Sequence, residues 1–287
     1  MRRFEYHEPE TLEEASLLLT SLGEGAYFLA GGTDLFVEIR ERLREVRHLV
    51  NIKRVPGLDQ ISYDGAAGLR FGAMVSAGQL EAAAPVVAHY PNLRAALRAL
   101  ASIQVRNRAT VVGNICRASP SADTIPPLVA DGASIETFRV SGGRSIPLAE
   151  FFAGPGRTVL EPGEIAVAIS VPAPNPGSVR AYIKHGRRKA MELATVGVAV
   201  SLETGGGICT GARIALGAVG PVVLRAPLAE ALLVGSKLDA ASIAAAAESA
   251  MQECTPISNV RSSAEYRREM VGVLTRRAVA QALEEAA

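Results

Sequence analysis

Residues 28–36 read Phe28-Leu29-Ala30-Gly31-Gly32-Thr33-Asp34-Leu35-Phe36. An apolar run ends in two glycines, and a polar pair then opens a segment with Leu35, Ile39 and Leu43 at helical spacing. The pattern predicts a buried strand over Tyr27–Ala30, a Gly31-Gly32 turn and a helix over Thr33–Leu43. Glycines permit positive φ and let the backbone approach a ligand closely. Unpaired N–H groups where a helix begins favour an anion such as phosphate. A plain strand–turn–helix connection accounts for the same residues, so the stretch alone fixes an α/β unit and no more.

Working outward, the same periodicities predict a strand at Phe4–Tyr6, a helix over Thr11–Leu22 and a strand at His48–Ile52. Val55-Pro56-Gly57 then punctuates the chain, which gives a first α/β segment over residues 1–55. Residues 56–175 form a second α+β segment. It has a strand at Leu69–Ala73, helices at Ser76–Ala84 and Pro91–Ala101, and an irregular passage over Ser102–Pro127. A hairpin from Ala133–Val140 and Ser145–Leu148 and a strand at Ile165–Val171 complete it. Residues 176–287 open with three strands, Arg180–Lys184, Thr195–Leu202 and Ile208–Val219, and close with helices at Ala226–Val234, Asp239–Gln252 and Ser263–Glu285. Ser262, with Glu265 three residues on, reads as the capping box of the last helix. The class is α+β, with a three-stranded antiparallel sheet and a helical group at the C-terminal end.

The irregular passage contains Thr110-Val-Val-Gly113-Asn114 and Ala118-Ser119-Pro-Ser-Ala-Asp123. Thr110, Asn114, Ser119 and Ser121 bring hydroxyl and amide groups into a stretch poor in charge, which suits contacts to polyols and phosphates. Asp123 reads as an N-cap, with Pro126 in the first turn of the helix that follows. A polar loop satisfying its own backbone explains these residues equally well.

Other chemistry is excluded more firmly. The net charge of +1 gives no reason to expect nucleic acid or an anionic surface. Cys116, Cys209 and Cys254 form no CxxC pair, so no zinc or iron–sulfur site is expected in this chain. Unpaired cysteines fit a reducing, cytoplasmic setting. No apolar run reaches the ~18 residues needed to cross a bilayer, and MRRFEYHEPETLEEA has no apolar stretch behind its arginines. There is no GxxxxGK[ST], HExxH or GxSxG. Gly205-Gly206-Gly207 lies in a hairpin and leads to Thr210 where a Rossmann glycine belongs. The histidines, His7, His48, His89 and His185, fall in unrelated contexts, and no catalytic residue is assigned. Phosphate-type turns without a general base point to cofactor holding.

Ala30-Gly-Gly-Thr-Asp-Leu35, Thr110–Asn114 and Ala118–Asp123 together resemble the medium, FAD-binding subunits of the xanthine dehydrogenase and carbon monoxide dehydrogenase group of molybdenum hydroxylases. Phe151-Phe152, Thr158–Ile165, Lys184 to Ala199 and Ser263–Arg268 extend the likeness nearly end to end. The resemblance implies a two-subdomain FAD-binding fold of the vanillyl-alcohol-oxidase type, closed by a C-terminal domain. It places Phe28, Leu29, Ala30, Gly31, Gly32, Thr33, Asp34 and Leu35 on the cofactor, with Gly31, Gly32 and Thr33 donating to its pyrophosphate. Thr110, Gly113 and Asn114 are implied as a second turn, Asp123 on a sugar or ribityl hydroxyl, and Ser119, Leu100 and Leu160 as further contacts. Lys184 is placed on a polar edge of the flavin. Val112 stands where the family usually has glycine, so this turn must use ordinary backbone there. Ala-Gly-Gly-Thr-Asp, against Ala-Gly-Gly-His-Ser in carbon monoxide dehydrogenases, argues against carbon monoxide as substrate.

The function so implied is electron relay. A large molybdenum-cofactor subunit would oxidise the substrate, and a small subunit with two [2Fe-2S] clusters would pass electrons to this chain. From here they would go to NAD+, oxygen, a quinone or a carrier protein, in a dimer of heterotrimers. Two other readings remain: a stand-alone FAD-dependent oxidoreductase of the same fold, and a nucleotide-binding scaffold without redox chemistry.

Overall fold

The computed structural model describes residues 3–285. Three sheets organise them. The first carries β1 (Glu5–His7), β2 (Ala26–Leu29) and β3 (His48–Asn51) in the parallel order β1-β3-β2, with helices α1 (Leu12–Leu22) and α2 (Leu35–Arg40) as crossovers. Thr11 caps α1 by accepting from Glu14 N–H at 3.1 Å. Helix α2 is shorter than its periodicity predicts, because Arg42 takes a left-handed φ of 60° and leaves Leu43 exposed.

The second sheet is antiparallel. It contains β4 (Ile61–Asp64), β5 (Gly68–Gly72), β6 (Ser134–Phe138), β7 (Ser145–Pro147) and β10 (Ile165–Val171), in the order β4-β5-β10-β6-β7. A separate ribbon pairs β8 (Phe152–Gly154) with β9 (Arg157–Thr158). Helices α3 (Ala77–Ala82), α4 (Ala84–His89) and α5 (Pro91–Ala99) follow β5. The passage expected to be irregular over 102–127 holds two short helices, α6 (Ile103–Arg106) and α7 (Val111–Cys116), before it leads into the expected helix, α8 (Ile125–Ala130). Both α6 and α7 are under two turns long, too brief for a period to show. Helix α4, strand β4 and the β8–β9 ribbon escape sequence reading for the same reason.

The C-terminal sheet has four strands where three were expected. To β11 (Ser178–His185), β12 (Val196–Gly205) and β13 (Ile208–Gly217) it adds the two-residue β14 (Leu224–Arg225). The sheet is covered on both faces, which explains the near-continuous apolar run of β12. Val196, Val198, Val200 and Leu202 pack with residues of α9 (Pro227–Leu233), α10 (Ala240–Glu253) and α11 (Ala264–Glu284), whereas Ala199 belongs to the main core with Tyr182 and Ala215. Each such valine contributes about 1.5–3 kcal/mol by leaving water. The opposite face is lined by small residues so that α8 can lie close: a Cβ on Gly217 would fall 2.9 Å from Pro126 Cγ.

Two caps are corrected. Ser263, not Ser262, starts α11, accepting from Tyr266 N–H at 3.2 Å. Thr124, not Asp123, occupies the N-cap of α8, and Asp123 is spent elsewhere. Arg267, 2% exposed, donates to the carbonyls of Thr195 and Ala218 and to Asn259 Oδ1, which ties α11 to the ends of β12 and β13.

Candidate functional site

A cleft of about 720 Å³ is walled by the β2–α2 connection, residues from α7 to Asp123, Ile165 and Ala166 of β10, and Met191–Leu193 beyond β11. That volume lies within the usual range for ligand pockets. What joins its two main walls is Gly31. A Cβ there would sit 2.3 Å from the carbonyl oxygen of Arg108 and 2.9 Å from Ala109 Cα, so only glycine lets the β2–α2 turn rest on the residue pair that leads into α7. Gly32 has φ +73° and would place a Cβ 2.9 Å from Leu29 Cδ1 and from the Phe36 ring. The N–H groups of Gly31, Gly32 and Thr33 make no hydrogen bond to protein among the described residues. Free donors on a tight turn at the wall of a cleft suit an anionic group.

The second segment is a capped helix and not an open turn. Thr110 is the N-cap of α7, and its hydroxyl accepts from Gly113 N–H at 3.1 Å. The Gly113 N–H is therefore satisfied within the protein and is not a donor to spare. Val112 is helical and 3% exposed, in ordinary backbone as its side chain requires. Asn114 Oδ1 accepts from the Thr124 hydroxyl at 2.8 Å, which leaves its NH2 as the group with donors in hand.

Phe28, Ala30–Leu35, Leu100, Thr110, Gly113, Asn114, Ser119 and Asp123 all line the cleft, whereas Leu29, Leu160 and Lys184 lie off its wall. Leu29 is 4% exposed, and Leu160 packs against the main core. Lys184 has another task. Its ammonium donates to Asp123 Oδ2 at 2.7 Å, Glu192 O at 2.7 Å and Ala99 O at 3.0 Å, so all three donors are used. Tyr182 donates to the other Asp123 oxygen at 3.0 Å. Burial pushes the Asp123 carboxyl above its usual range, while Lys184 and Tyr182 oppose the rise. Asp123 is thus fixed at the cleft with lone pairs left to accept from a ligand hydroxyl.

Several wall residues escaped sequence reading. Glu38 pairs with Arg44 at 2.6 Å and Arg117 at 2.7 Å, and Arg44 lies over the Tyr27 ring at 4.8 Å. Burial raises the Asp34 carboxyl, with Arg117 lowering it and Glu38 adding to the rise. The i, i+4 spacing of Asp34 and Glu38 hinted at a shared helix face, but Arg117 is brought in by tertiary contact alone. Ala101, Ala118 and Met191, at or beside the cleft, hold φ of 44°, 51° and 50°. Left-handed backbone at non-glycine residues gathers at functional sites because the surrounding structure must enforce it. Burial drives the Cys116 thiol up to about 12, so it is a poor nucleophile. Glu38, Asp123 and Glu192 are each held by cations. The wall can hold and orient a polar, partly anionic molecule.

FAD matches these features: free turn donors for its pyrophosphate, a fixed carboxylate for a hydroxyl and an apolar cleft for its rings. The family described as the FAD binding domain in molybdopterin dehydrogenase matches residues 2–174, and that of the CO dehydrogenase flavoprotein C-terminal domain matches residues 181–282. The chain is 36% identical over 277 residues to the carbon monoxide dehydrogenase medium chain of Hydrogenophaga pseudoflava, covering 96% of each. It is 32% identical over 279 residues to the xanthine dehydrogenase FAD-binding subunit of Escherichia coli O157:H7, covering 97% of this chain and 95% of that one. A solved carbon monoxide dehydrogenase chain from H. pseudoflava superposes with a TM-score of 0.96 at 37% identity, covering 100% and 99% of the two chains. A chain of quinoline 2-oxidoreductase from Pseudomonas putida 86 gives 0.91 at 31% identity, covering 99% and 98%. The carbon monoxide dehydrogenase and quinoline 2-oxidoreductase chains thus share this one architecture.

Proposed function

The chain belongs to the FAD-binding subunits of the molybdenum hydroxylases, and from that membership we propose that it is the electron-relay subunit of a multi-subunit dehydrogenase. The observation that carries the reading is the seating of Gly31 on Arg108 and Ala109, which makes one cleft of two walls with residues bearing unpaired N–H donors in its lining. Bound there, FAD supplies redox chemistry in steps of one or two electrons. The chain's own residues hold it. Gly31, Gly32 and Thr33 donate to the pyrophosphate, Asp123 accepts from a hydroxyl, and Lys184 with Tyr182 keeps that carboxylate in place. Met191–Leu193 help screen the cleft from water.

The proposed partners are a large molybdenum-cofactor subunit and a small subunit with [2Fe-2S] clusters, in a dimer of heterotrimers. NAD+, oxygen, a quinone or a carrier protein would be the acceptor. No helix among the described residues is long and apolar enough to cross a membrane, and we place the complex in the cytoplasm. Of the wall's carboxylates, Glu38, Asp123 and Glu192 are each held by cations, which favours relay over stand-alone oxidation. Add-back kinetics test this. The FAD-loaded chain is expected to reduce a dye after dithionite treatment but to leave purines, heterocycles and aldehydes untouched until the two partners are supplied. Enzyme-like turnover of an organic substrate by this chain alone would replace the relay with a stand-alone oxidoreductase.

A further inference from the structure

His7 and His48, 41 residues apart and unrelated in sequence, meet outside the cleft. Glu5 and His7 are two apart on the edge strand β1, so their side chains leave the same face. Strand β3 runs parallel beside it, with His48 opposite Glu5. His7 Nε2 lies 3.3 Å from His48 Nδ1, His48 Nδ1 lies 3.3 Å from Glu5 Oε2, and His7 Nε2 lies 3.9 Å from Glu5 Oε2. Zinc bonds of about 2.0–2.1 Å in a tetrahedron put neighbouring ligand atoms ~3.3–3.4 Å apart. Two of the three separations match and the third is within reach of a small side-chain rotation. All three ligand atoms fall within 4.8 Å of one another.

We propose that Glu5, His7 and His48 form a site for a zinc-class divalent cation, with the fourth position open to water. Two imidazoles and one carboxylate are the donor set such an ion takes in open sites. The imidazoles are 23% and 20% exposed and Glu5 is 72% exposed, so an ion can enter from solvent while the rings stay ordered by the sheet. A ring-to-ring hydrogen bond would explain only one of the three short separations. The ion would clip the three-residue strand β1 to β3 and so hold the parallel sheet that leads into the β2–α2 turn.

The test uses the full FAD-loaded chain, stripped with EDTA and then dialysed against Zn2+ or Co2+. One zinc per chain is expected, and Co2+ should give the visible absorption of a tetrahedral site. His7→Ala and His48→Ala should each weaken zinc by more than about tenfold, the loss that even an outer-sphere partner of a ligand causes. His89→Ala should change nothing. Glu5→Gln is an exposed change that keeps the test decisive if a histidine variant misfolds: it should also weaken zinc, with FAD content unchanged. Absence of stoichiometric zinc in the wild-type chain, or equal zinc in the wild type, Glu5→Gln and any folded histidine variant, overturns the site. Because FAD content is read in the same samples, failure of the metal site leaves the cofactor assignment standing.

Discussion

Gly32 illustrates how much a single residue can decide. Its φ is +73°, and the space a side chain would need is filled by Leu29 and Phe36. Gly32→Val should therefore strain the turn by about 1–3 kcal/mol, or roughly 5- to 150-fold in FAD affinity if the cost falls on the bound form. Val112→Gly should leave binding nearly unchanged. Val112 sits in the main core, so that variant should instead lose about 2–4 kcal/mol of stability through an opened cavity and a helical glycine. Fluorescence titration with FAD separates the two, and equal affinities would remove the turn from the site. Lys184→Met should lower Tm at a cost of about 3–5 kcal/mol, since it strands the buried Asp123 carboxylate. An unchanged Tm would mean the ammonium does not hold Asp123. The glycine pair was legible in the sequence because its chemistry is local. The Lys184–Asp123 pair was not, because 61 residues separate the partners and only the packing of α8 against the C-terminal sheet brings them together.

At the scale of elements, the antiparallel sheet carries the clearest pH dependence. Glu164, just before β10, accepts from Arg144 Nε and Nη2, each at 2.8 Å, and from Glu161 N–H at 2.8 Å. These bonds, Arg144 first, hold its carboxyl at about 2, well below the ordinary 4.5. A depressed carboxyl stabilises the fold above its unfolded value and loses that contribution as pH falls through its folded value. Glu164→Gln should accordingly be less stable than wild type at pH 7, with the gap closing between about pH 4.5 and 2. Urea midpoints at pH 7, 5 and 3 check this, and a gap that is constant with pH would deny the ion pair its role. Long elements were legible here: β10 runs over Ile165–Val171 as expected, and α10 and α11 differ from expectation by one residue at each end. The misses are short elements whose existence depends on neighbours. Strand β14 has two residues and pairs only because β13 offers an edge, and α6 and α7 rest on caps from Ser102 and Thr110.

Across the whole molecule, sequence reading identified the architecture and the cofactor class but left the cleft's second wall half described. Arg117, Glu38 and Met191 reach the cleft from three separate segments, and no spacing relates them. The glycine contact at Gly31 brings distant segments together at one cleft. The absorbance spectrum of the purified chain tests this most directly. The structure predicts a yellow protein with about one FAD per chain, bleached by dithionite and coloured again by an electron-accepting dye, and a Gly31→Val variant that is folded but depleted of flavin. A correctly folded wild-type chain that is colourless and takes up no added FAD would contradict the account.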